Sequence, residues 1–320
     1  NVYGQGNGGN LNGNVGESWG VKMTGQSFTN HLGEEGSYSA QPNNIKDFFR
    51  TGTSLNNSIG LSSGSEKMQT YLSYTNNNTK GILEKNNLMR HTINLRLTNQ
   101  FGKRFSTDAK VTYIRQSIDN KPRAGEQNSP VINIYQIPRN VSIATAQNFE
   151  TINNVGIPEA VRWPSTLSSI YQNPYWLINR TAINENRDRL TGFITAKLKI
   201  TDWLSLQGRA NLDKVFDHTE TIYSQGTLLW ARQVGGYYAN NDMVTTKQWY
   251  DVMLEGNNNI TSDLKIDYRA GAIFQDNKYT ALSTVASGLN VTNKFSLNFA
   301  TNPAISSTSI QTQIQSVFGQ

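Results

Sequence analysis

Apolar and polar residues alternate with a period of two along much of this chain. Ile93, Leu95 and Leu97 occupy alternate positions, with the polar residues Asn94 and Arg96 between them. Because successive side chains of a β-strand point to opposite faces, this pattern predicts a strand with one apolar face and one ionic face. The pattern recurs at Phe105, Ala109, Val111 and Tyr113; at Ile194, Ala196, Leu198 and Ile200; at Leu204, Leu206, Ala210 and Leu212; and at Leu264, Ile266, Tyr268, Ala270, Ala272 and Phe274.

The connections between these segments are short at one end and long at the other. Polar turns at 64–66, 100–103, 201–202 and 261–263 form the short set, and the long set covers roughly 117–187, 218–243 and 282–307. Outer-membrane barrels have short periplasmic turns and longer extracellular loops. The asymmetry therefore favours a transmembrane barrel.

Segment length separates this interpretation from a soluble one. The alternation runs for about twelve residues or more, and a tilted strand needs about nine to eleven to cross a bilayer. A soluble sandwich would turn the same stripe inward, but its strands average about five or six residues. Phe105 and Tyr113 lie about 26 Å apart along one strand, a separation that suits two aromatic girdles, although two aromatic side chains of a soluble core are the alternative.

The predicted fold class is therefore all-β, a segment of a large antiparallel transmembrane β-barrel. Residues 1–53 are rich in Gly and Asn and are predicted to form an extracellular loop region with one helical turn near 44–49. Residues 54–320 are predicted to hold about nine strands, and both chain ends read as cuts in a longer barrel domain. The predicted strands cover 54–63, 66–75, 88–100, 104–116, 188–200, 203–217, 244–260, 263–281 and 308–319.

Composition narrows the class further. The chain is 36% hydrophobic with a mean hydropathy of −0.54, which is too polar for a helical membrane protein. The net charge is +6, but the basic residues are scattered, so we expect no nucleic-acid binding. There is no cysteine, which excludes disulfides and thiolate metal sites.

Motifs that could carry chemistry lack the context that each one needs. Gly4, Gly6 and Gly9 satisfy G-x-G-x-x-G, but more loop follows instead of a helix. Glu34-Glu35 and the segment 184–188 have no spacing that would place two carboxylates across a sugar. We therefore predict that the chain is not an enzyme and has no cofactor and no metal. His31, His91 and His218 show no ligand spacing, and His91 is expected to be a solvated or lumen residue.

Aromatic residues in the long connections are the group with a plausible binding role. Flat rings stack on sugar faces or cover apolar peptide side chains in a concave vestibule. The alternative is that they pack the loops together, and for Tyr175 and Trp176, which follow Pro174, packing is favoured. The candidate substrate-binding residues are Trp163, Tyr171, Trp176, Trp230, Tyr237 and Tyr238.

Several short motifs, taken in order, resemble one family. They are Tyr3-Gly4-Gln5-Gly6, Ser18-Trp19-Gly20, Asn44-Ile45-Lys46-Asp47-Phe48-Phe49-Arg50-Thr51-Gly52, Asn173-Pro174-Tyr175-Trp176, Asp202-Trp203-Leu204-Ser205-Leu206 and Gly235-Gly236-Tyr237. This wording resembles the middle of the barrel in SusC/RagA-like TonB-dependent transporters of the Bacteroidetes outer membrane.

The resemblance implies a barrel of the twenty-two-stranded, plugged class, whose plug and energy-coupling box have no counterpart in this segment. It also implies active import of oligosaccharides or peptides, energised by TonB, with a SusD-like surface lipoprotein as a lid. The main alternative is a secreted or surface-anchored β-rich adhesin or glycan-binding module, and the choice between glycan and peptide cargo stays open. Leu198→Arg and Ile266→Arg, both expected near mid-strand on the lipid face, are predicted to block membrane assembly.

Overall fold

The computed structural model describes residues 2–123, 128–165, 169–229, 231, 234–259 and 261–320. Strands dominate these ranges. They are β1 (Gly6–Asn7), β2 (Asn10–Leu11), β3 (Ser27–Thr29), β4 (Glu35–Ser37), β5 (Thr53–Gly64), β6 (Met68–Lys80), β7 (Asn87–Phe101), β8 (Phe105–Asp119), β9 (Glu150–Ile152), β10 (Pro158–Ala160), β11 (Thr181–Lys199), β12 (Leu204–Tyr223), β13 (Tyr237–Asn259), β14 (Lys265–Ser287) and β15 (Pro303–Gly319).

Helices in the described ranges are short. They are α1 (Pro130–Tyr135), α2 (Ile143–Gln147) and α3 (Pro174–Arg180), with 3-10 turns at Lys46–Phe48 and Leu297–Phe299. The first of these turns coincides with the helical turn predicted near 44–49. Among the described residues, no helix is both long enough and apolar enough to cross a membrane.

One antiparallel sheet of nine strands organises the described chain. Its order is β5-β6-β7-β8-β11-β12-β13-β14-β15, so strands that follow each other in the sheet also follow each other along the chain. The pairing runs without a bulge from one end of each ladder to the other, for example from Leu204↔Gly256 to Tyr223↔Tyr237. Because no residue is skipped, each side chain keeps its face along the whole strand.

The four predicted short turns all lie at the same end of this sheet, which we call the turn end. Three of them use a hydroxyl side chain in the same way. Thr201 Oγ1 accepts from the amide of Leu204 at 3.0 Å, Thr261 Oγ1 accepts from Leu264 at 3.0 Å, and Ser65 fills the same role in the first turn. The remaining turn has Gly102 at φ +64°, which the absence of a Cβ permits.

Each predicted strand overlaps one observed strand, but several observed strands extend further at the opposite end, which we call the loop end. β11 begins at Thr181, seven residues before the predicted start at 188, and β13 begins at Tyr237 instead of 244. The expected mid-strand position of Leu198 and Ile266 is therefore wrong. Leu198 is the last residue but one of β11, and Ile266 is the second residue of β14.

The apolar positions of neighbouring strands meet across the sheet as predicted. Leu97, Ala109, Ile194, Ala210 and Tyr250 form one continuous row of paired residues. Paired residues of an antiparallel ladder share a face, so this row and the parallel rows two residues away form one apolar face. The intervening positions form the opposite, ionic face.

Aromatic side chains border the apolar face at both ends. Phe101 and Phe105 stack at the turn end with ring centroids 5.6 Å apart, and Tyr250 and Phe274 stack nearer the loop end at 6.3 Å. The hydroxyl of Tyr113 donates to the carboxylate of Asp188, so its polar tip points away from the apolar rows.

A second tyrosine marks the loop-end border on the neighbouring strands. The Tyr74 hydroxyl lies 2.7 Å from Nδ1 of His91, and both side chains lie on the apolar face, where His91 is partly exposed. Tyr113 is in register with Thr246, four residues nearer the loop end than Tyr250. The border thus crosses the strands diagonally. This is expected in a barrel, because its strands tilt relative to the barrel axis.

The segment before β5 folds into a compact polar unit. Gln5 and Tyr38 are fully buried, and the Tyr38 hydroxyl donates to the Gln5 carbonyl at 2.9 Å. A Cβ on Gly4 would come within 2.8 Å of the Tyr38 ring, and one on Gly6 within 2.0 Å of the Asn10 carbonyl oxygen. These glycines of the G-x-G-x-x-G string therefore serve close packing.

A buried histidine in this unit gives it a pH dependence. His31 is buried, its Nδ1 has no hydrogen-bond partner among the described residues, and burial together with the positive charge of Arg162 lowers its pKa from 6.5 to about 4. The unfolded segment therefore binds the proton first, and folding loses stability as the pH falls from 6.5 towards 4. We expect a loss of roughly 2 kcal/mol by pH 4.5, measured as hydrogen-exchange protection of β3 and β4 after correction for intrinsic rates.

His31→Leu is the control, because it removes the titrating group from the same buried position. Its protection should not change over this pH range. Equal pH dependence in both proteins would assign the effect to another group.

Candidate functional site

The long connections at the loop end fold together into one body, which we call the cap. It comprises the described parts of residues 2–52, 120–180, 224–236 and 288–302. Gln41 N donates to the Arg139 carbonyl at 2.7 Å, and Gln225 N donates to Asn293 Oδ1 at 2.8 Å, so connections far apart in sequence are tied together. The cap is therefore a folded element that can hold side chains in fixed positions.

A hydrophobic core lies inside the cap. Asn173 begins α3 by accepting from the Tyr175 amide at 2.9 Å, and Pro174 stands in the first turn. Residues 174–178 of this helix are buried. Burial raises the pKa of the Tyr175 hydroxyl. The core residues are Phe48, Leu83, Ile134, Ile137, Val141, Ala146, Trp163, Tyr175 and Ile178.

Two of the predicted binding residues belong to this interior. Trp163 is 3% exposed, and Trp176 is 0% exposed, with its indole Nε1 donating to Thr227 Oγ1 at 3.1 Å. In this conformation neither indole offers a face to a ligand. Packing of the loops, the alternative considered above, accounts for their position.

Tyr171 lies half-buried beside a groove of about 370 Å³. The other walls of the groove include Arg162, Glu159 and Leu228. The side chain of Gln172 ties two walls of the groove together. Its Nε2 donates to the Gly226 carbonyl at 2.9 Å, and its Oε1 accepts from the backbone amide of Leu228 at 3.1 Å. A ring, a cation and a carboxylate thus border one recess. The predicted candidate Trp230 lies outside the described residues.

Tyr237 and Tyr238 point to opposite sides of the sheet. Tyr237 pairs with Tyr223 on the ionic face, and their ring centroids are 5.4 Å apart. The guanidinium of Arg123 lies 5.9 Å from the Tyr223 ring centre and donates to its hydroxyl. Tyr238 is on the other face, where its hydroxyl donates to Glu220 at 3.2 Å.

Arg123 and Tyr223 were not singled out from the sequence, although both side chains lie in the cluster that contains Tyr237. Counting alternate positions along β12 from Leu212 would have placed Tyr223 on the ionic face. No local signal points to Arg123, because its position depends on the path of the long connection. Together with Tyr237 these side chains form a cation and two rings at the loop end of the ionic face, which we call the Tyr223 group.

Cross-strand ion pairs cover the ionic face between the Tyr223 group and the turns. Arg189 holds Asp213 with two bonds of 2.8 and 2.7 Å, and Arg209 reaches Asp251 at 2.8 Å. Paired charges of this kind keep the face hydrated and polar. The further cross-strand pairs are Arg96–Asp108, Arg187–Asp217, Lys197–Glu255 and Arg269–Glu255, and Lys265–Asp267 is a pair within β14.

Acidic residues near the two carboxylate motifs of the sequence are engaged in local hydrogen bonds. Glu35 accepts from Ser27 Oγ at 2.8 Å and from Thr29, and Asn184 donates to Glu220 at 3.1 Å. Within the described part of the chain, no cluster of histidine and carboxylate side chains is suited to hold a metal ion.

Comparison with solved structures places this fold among barrel-type transporters. The chain superposes on the RagAB peptide importer in its closed-closed state with a TM-score of 0.67 at 12% identity, covering 88% of this chain and 31% of that chain. A second structure, of the RagAB peptide transporter, gives 0.66 at 12% identity with the same coverage. The open-open state of the importer gives 0.65 at 13% identity, covering 86% of this chain and 30% of that one.

These matches confirm the predicted fold class, and at this identity they bear on the fold alone. The chain spans about a third of the length of the transporter chains that it matches. No protein-family model matches the sequence, and no curated protein matches it.

Proposed function

We propose that this chain forms part of the wall and the extracellular cap of a SusC/RagA-like, TonB-dependent outer-membrane importer. The observation that carries the proposal is the division of one sheet into three zones. Short turns lie at one end, long strands with a continuous apolar face lie in the middle, and a folded cap lies at the other end. A wall between membrane and water needs this arrangement.

In this proposal the apolar face lies against lipid and the ionic face lines the interior. Every backbone group inside a bilayer must be paired within the protein, and the unbroken ladders of the sheet provide that pairing. The aromatic borders then lie at the two membrane surfaces, where amphipathic rings are favoured. The ion pairs on the opposite face suit a water-filled or plug-filled interior.

The cargo is a peptide or an oligosaccharide. Transporters with this fold include a peptide importer, which supports the peptide, while rings beside a cation suit either ligand. Tyr237 and Arg123, both half-buried beside the buried ring of Tyr223, and the groove beside Tyr171 are the proposed contact sites at the loop end. A SusD-like lipoprotein would cover the cap, and TonB would act through a plug.

Replacement of Tyr237 tests this assignment. We expect Tyr237→Ala in the full-length protein to lower uptake of the cargo by about tenfold, because a stacked ring contributes about 1 kcal/mol or more at a contact. The measurement is uptake of labelled peptides and oligosaccharides by a deletion strain that carries either the wild-type or the variant protein.

Tyr238→Ala is the matched control, since it removes the same ring one residue away on the opposite face. It should leave uptake unchanged at equal surface abundance. Equal loss in both variants would exclude a specific contact at Tyr237. Absence of any uptake by the wild-type protein, together with binding of glycan at the cell surface, would favour the adhesin instead.

A further inference from the structure

A row of two lysines with a threonine between them interrupts the apolar face just beyond its loop-end border. Lys214 on β12, Thr246 on β13 and Lys278 on β14 are direct partners across the ladders. All three side chains therefore project from the face that is apolar nearer the turns. Both lysines are exposed, and Thr246 is half-buried between them.

Neither lysine forms an ion pair with a carboxylate in the described chain. The nearest acidic residues on this face are engaged elsewhere. Asp276 accepts from Gln311 Nε2 at 2.8 Å, and Asp188 accepts from Tyr113 and lies 3.9 Å from Arg115. The row thus carries two positive charges, and no ion pair within the described residues holds either of them.

The spacing within the row suits one small anion. Two strand separations place the lysine backbones about 10 Å apart, and two flexible four-carbon stems can converge over Thr246 from that distance. The Thr246 hydroxyl supplies a further donor between them. A tetrahedral oxyanion could accept hydrogen bonds from both ammonium groups and from this hydroxyl at the same time.

The depth of the row identifies the source of the anion. The stacked pair Tyr250 and Phe274 lies four residues nearer the turns, which is about 13 Å along the strand. If those rings mark the edge of the hydrocarbon, the lysines lie at the level of lipid headgroups.

We propose that Lys214, Thr246 and Lys278 bind the phosphate of a phosphorylated lipid in the outer leaflet. The inference rests on the proposed membrane position of the apolar face, but it does not depend on what the protein imports. The bound lipid would fix one contact between the wall and the membrane at β12–β14, with its acyl chains beside Tyr250 and Phe274.

Native mass spectrometry of the full-length protein in detergent tests this proposal. The probes are a glycolipid with one phosphate and the same glycolipid after dephosphorylation. The wild-type protein should prefer the phosphorylated lipid by about tenfold, because each lysine strengthens the binding of an anionic lipid headgroup. The double variant Lys214→Gln with Lys278→Gln should reduce this preference to less than about twofold.

Two matched controls separate the row from general charge effects. Lys110→Gln with Lys247→Gln makes the same charge change on the ionic face, and Lys247 is the immediate neighbour of Thr246. This variant should keep the preference. Lys214→Arg with Lys278→Arg retains both charges and should keep most of it, which also shows that substitution at these positions permits folding.

Three outcomes would overturn the proposal. The preference could survive in the glutamine variant of the row, it could disappear equally in the ionic-face variant, or inorganic phosphate in large excess could displace the lipid. Lipid preference without any import would refute the importer and leave this inference intact. A full-length protein that stays monodisperse without detergent would refute both.

Discussion

Trp176→Ala should unfold the cap while leaving the sheet intact. The indole is 0% exposed and donates to Thr227, so its removal leaves a large cavity and an unpaired hydroxyl in the interior. Replacement of a buried tryptophan by alanine typically costs about 3–5 kcal/mol. Hydrogen exchange in the full-length protein should show faster exchange in α1, α2 and α3, and no change in β7 or β8.

Trp19→Ala is the control for this prediction. Trp19 is 76% exposed, so its loss creates no cavity. The cap should keep its protection in that variant. Exchange that rises equally in cap and sheet after Trp176→Ala would show that the two unfold together, and the cap would not be an independent element.

Ile194→Arg should block assembly into the membrane. Ile194 pairs with Ala109 and Ala210, and on β11 it lies midway between Leu198, the partner of Phe105, and Leu190, the partner of Tyr113. An arginine on the lipid face costs about 2–4 kcal/mol at the bilayer midplane and close to zero at the interfaces. The measurement is the midpoint of urea unfolding of the full-length protein in lipid vesicles.

The neighbouring residue provides the matched control. Thr195 lies on the ionic face, directly across from Asp108 and Arg209. Thr195→Arg should therefore cost less than about 1 kcal/mol, since the new charge stays in a polar environment. A larger loss for Thr195→Arg than for Ile194→Arg would reverse the assignment of the two faces.

The corrected position of Leu198 gives this series a depth scale. Leu198 pairs with Phe105 at the turn-end border, so Leu198→Arg should cost less than Ile194→Arg. The sequence alone suggested equal effects at Leu198 and Ile266 because the strand ends were misplaced.

The alternation that predicted the strands is present where one face of the sheet is apolar and the other is ionic. Beyond the loop-end border both faces are polar, as at Asn184, Glu220 and Asn240, so the signal disappears although the ladders continue. This explains why the predicted strands stop short at that end. The turns were located correctly because they interrupt an alternation that is strong on both sides.

The candidate site was less predictable for a different reason. Burial of Trp163 and Trp176 depends on how distant connections pack together, and no local pattern encodes that packing. The opposite facing of Tyr237 and Tyr238 was accessible, because strict alternation from Leu254 on β13 assigns each residue to a face. Arg123 could not be assigned, since it belongs to no strand.

The absence of bulges bears on how the gene can change. Adding or deleting one codon inside a long strand would move every side chain beyond that point to the opposite face. Apolar and charged residues would then exchange places along the rest of the ladder. Adding or deleting two codons would keep every side chain on its original face, but it would move the border by two residues. Natural length variation should therefore accumulate almost wholly in the cap, where segments can lengthen without disturbing the wall.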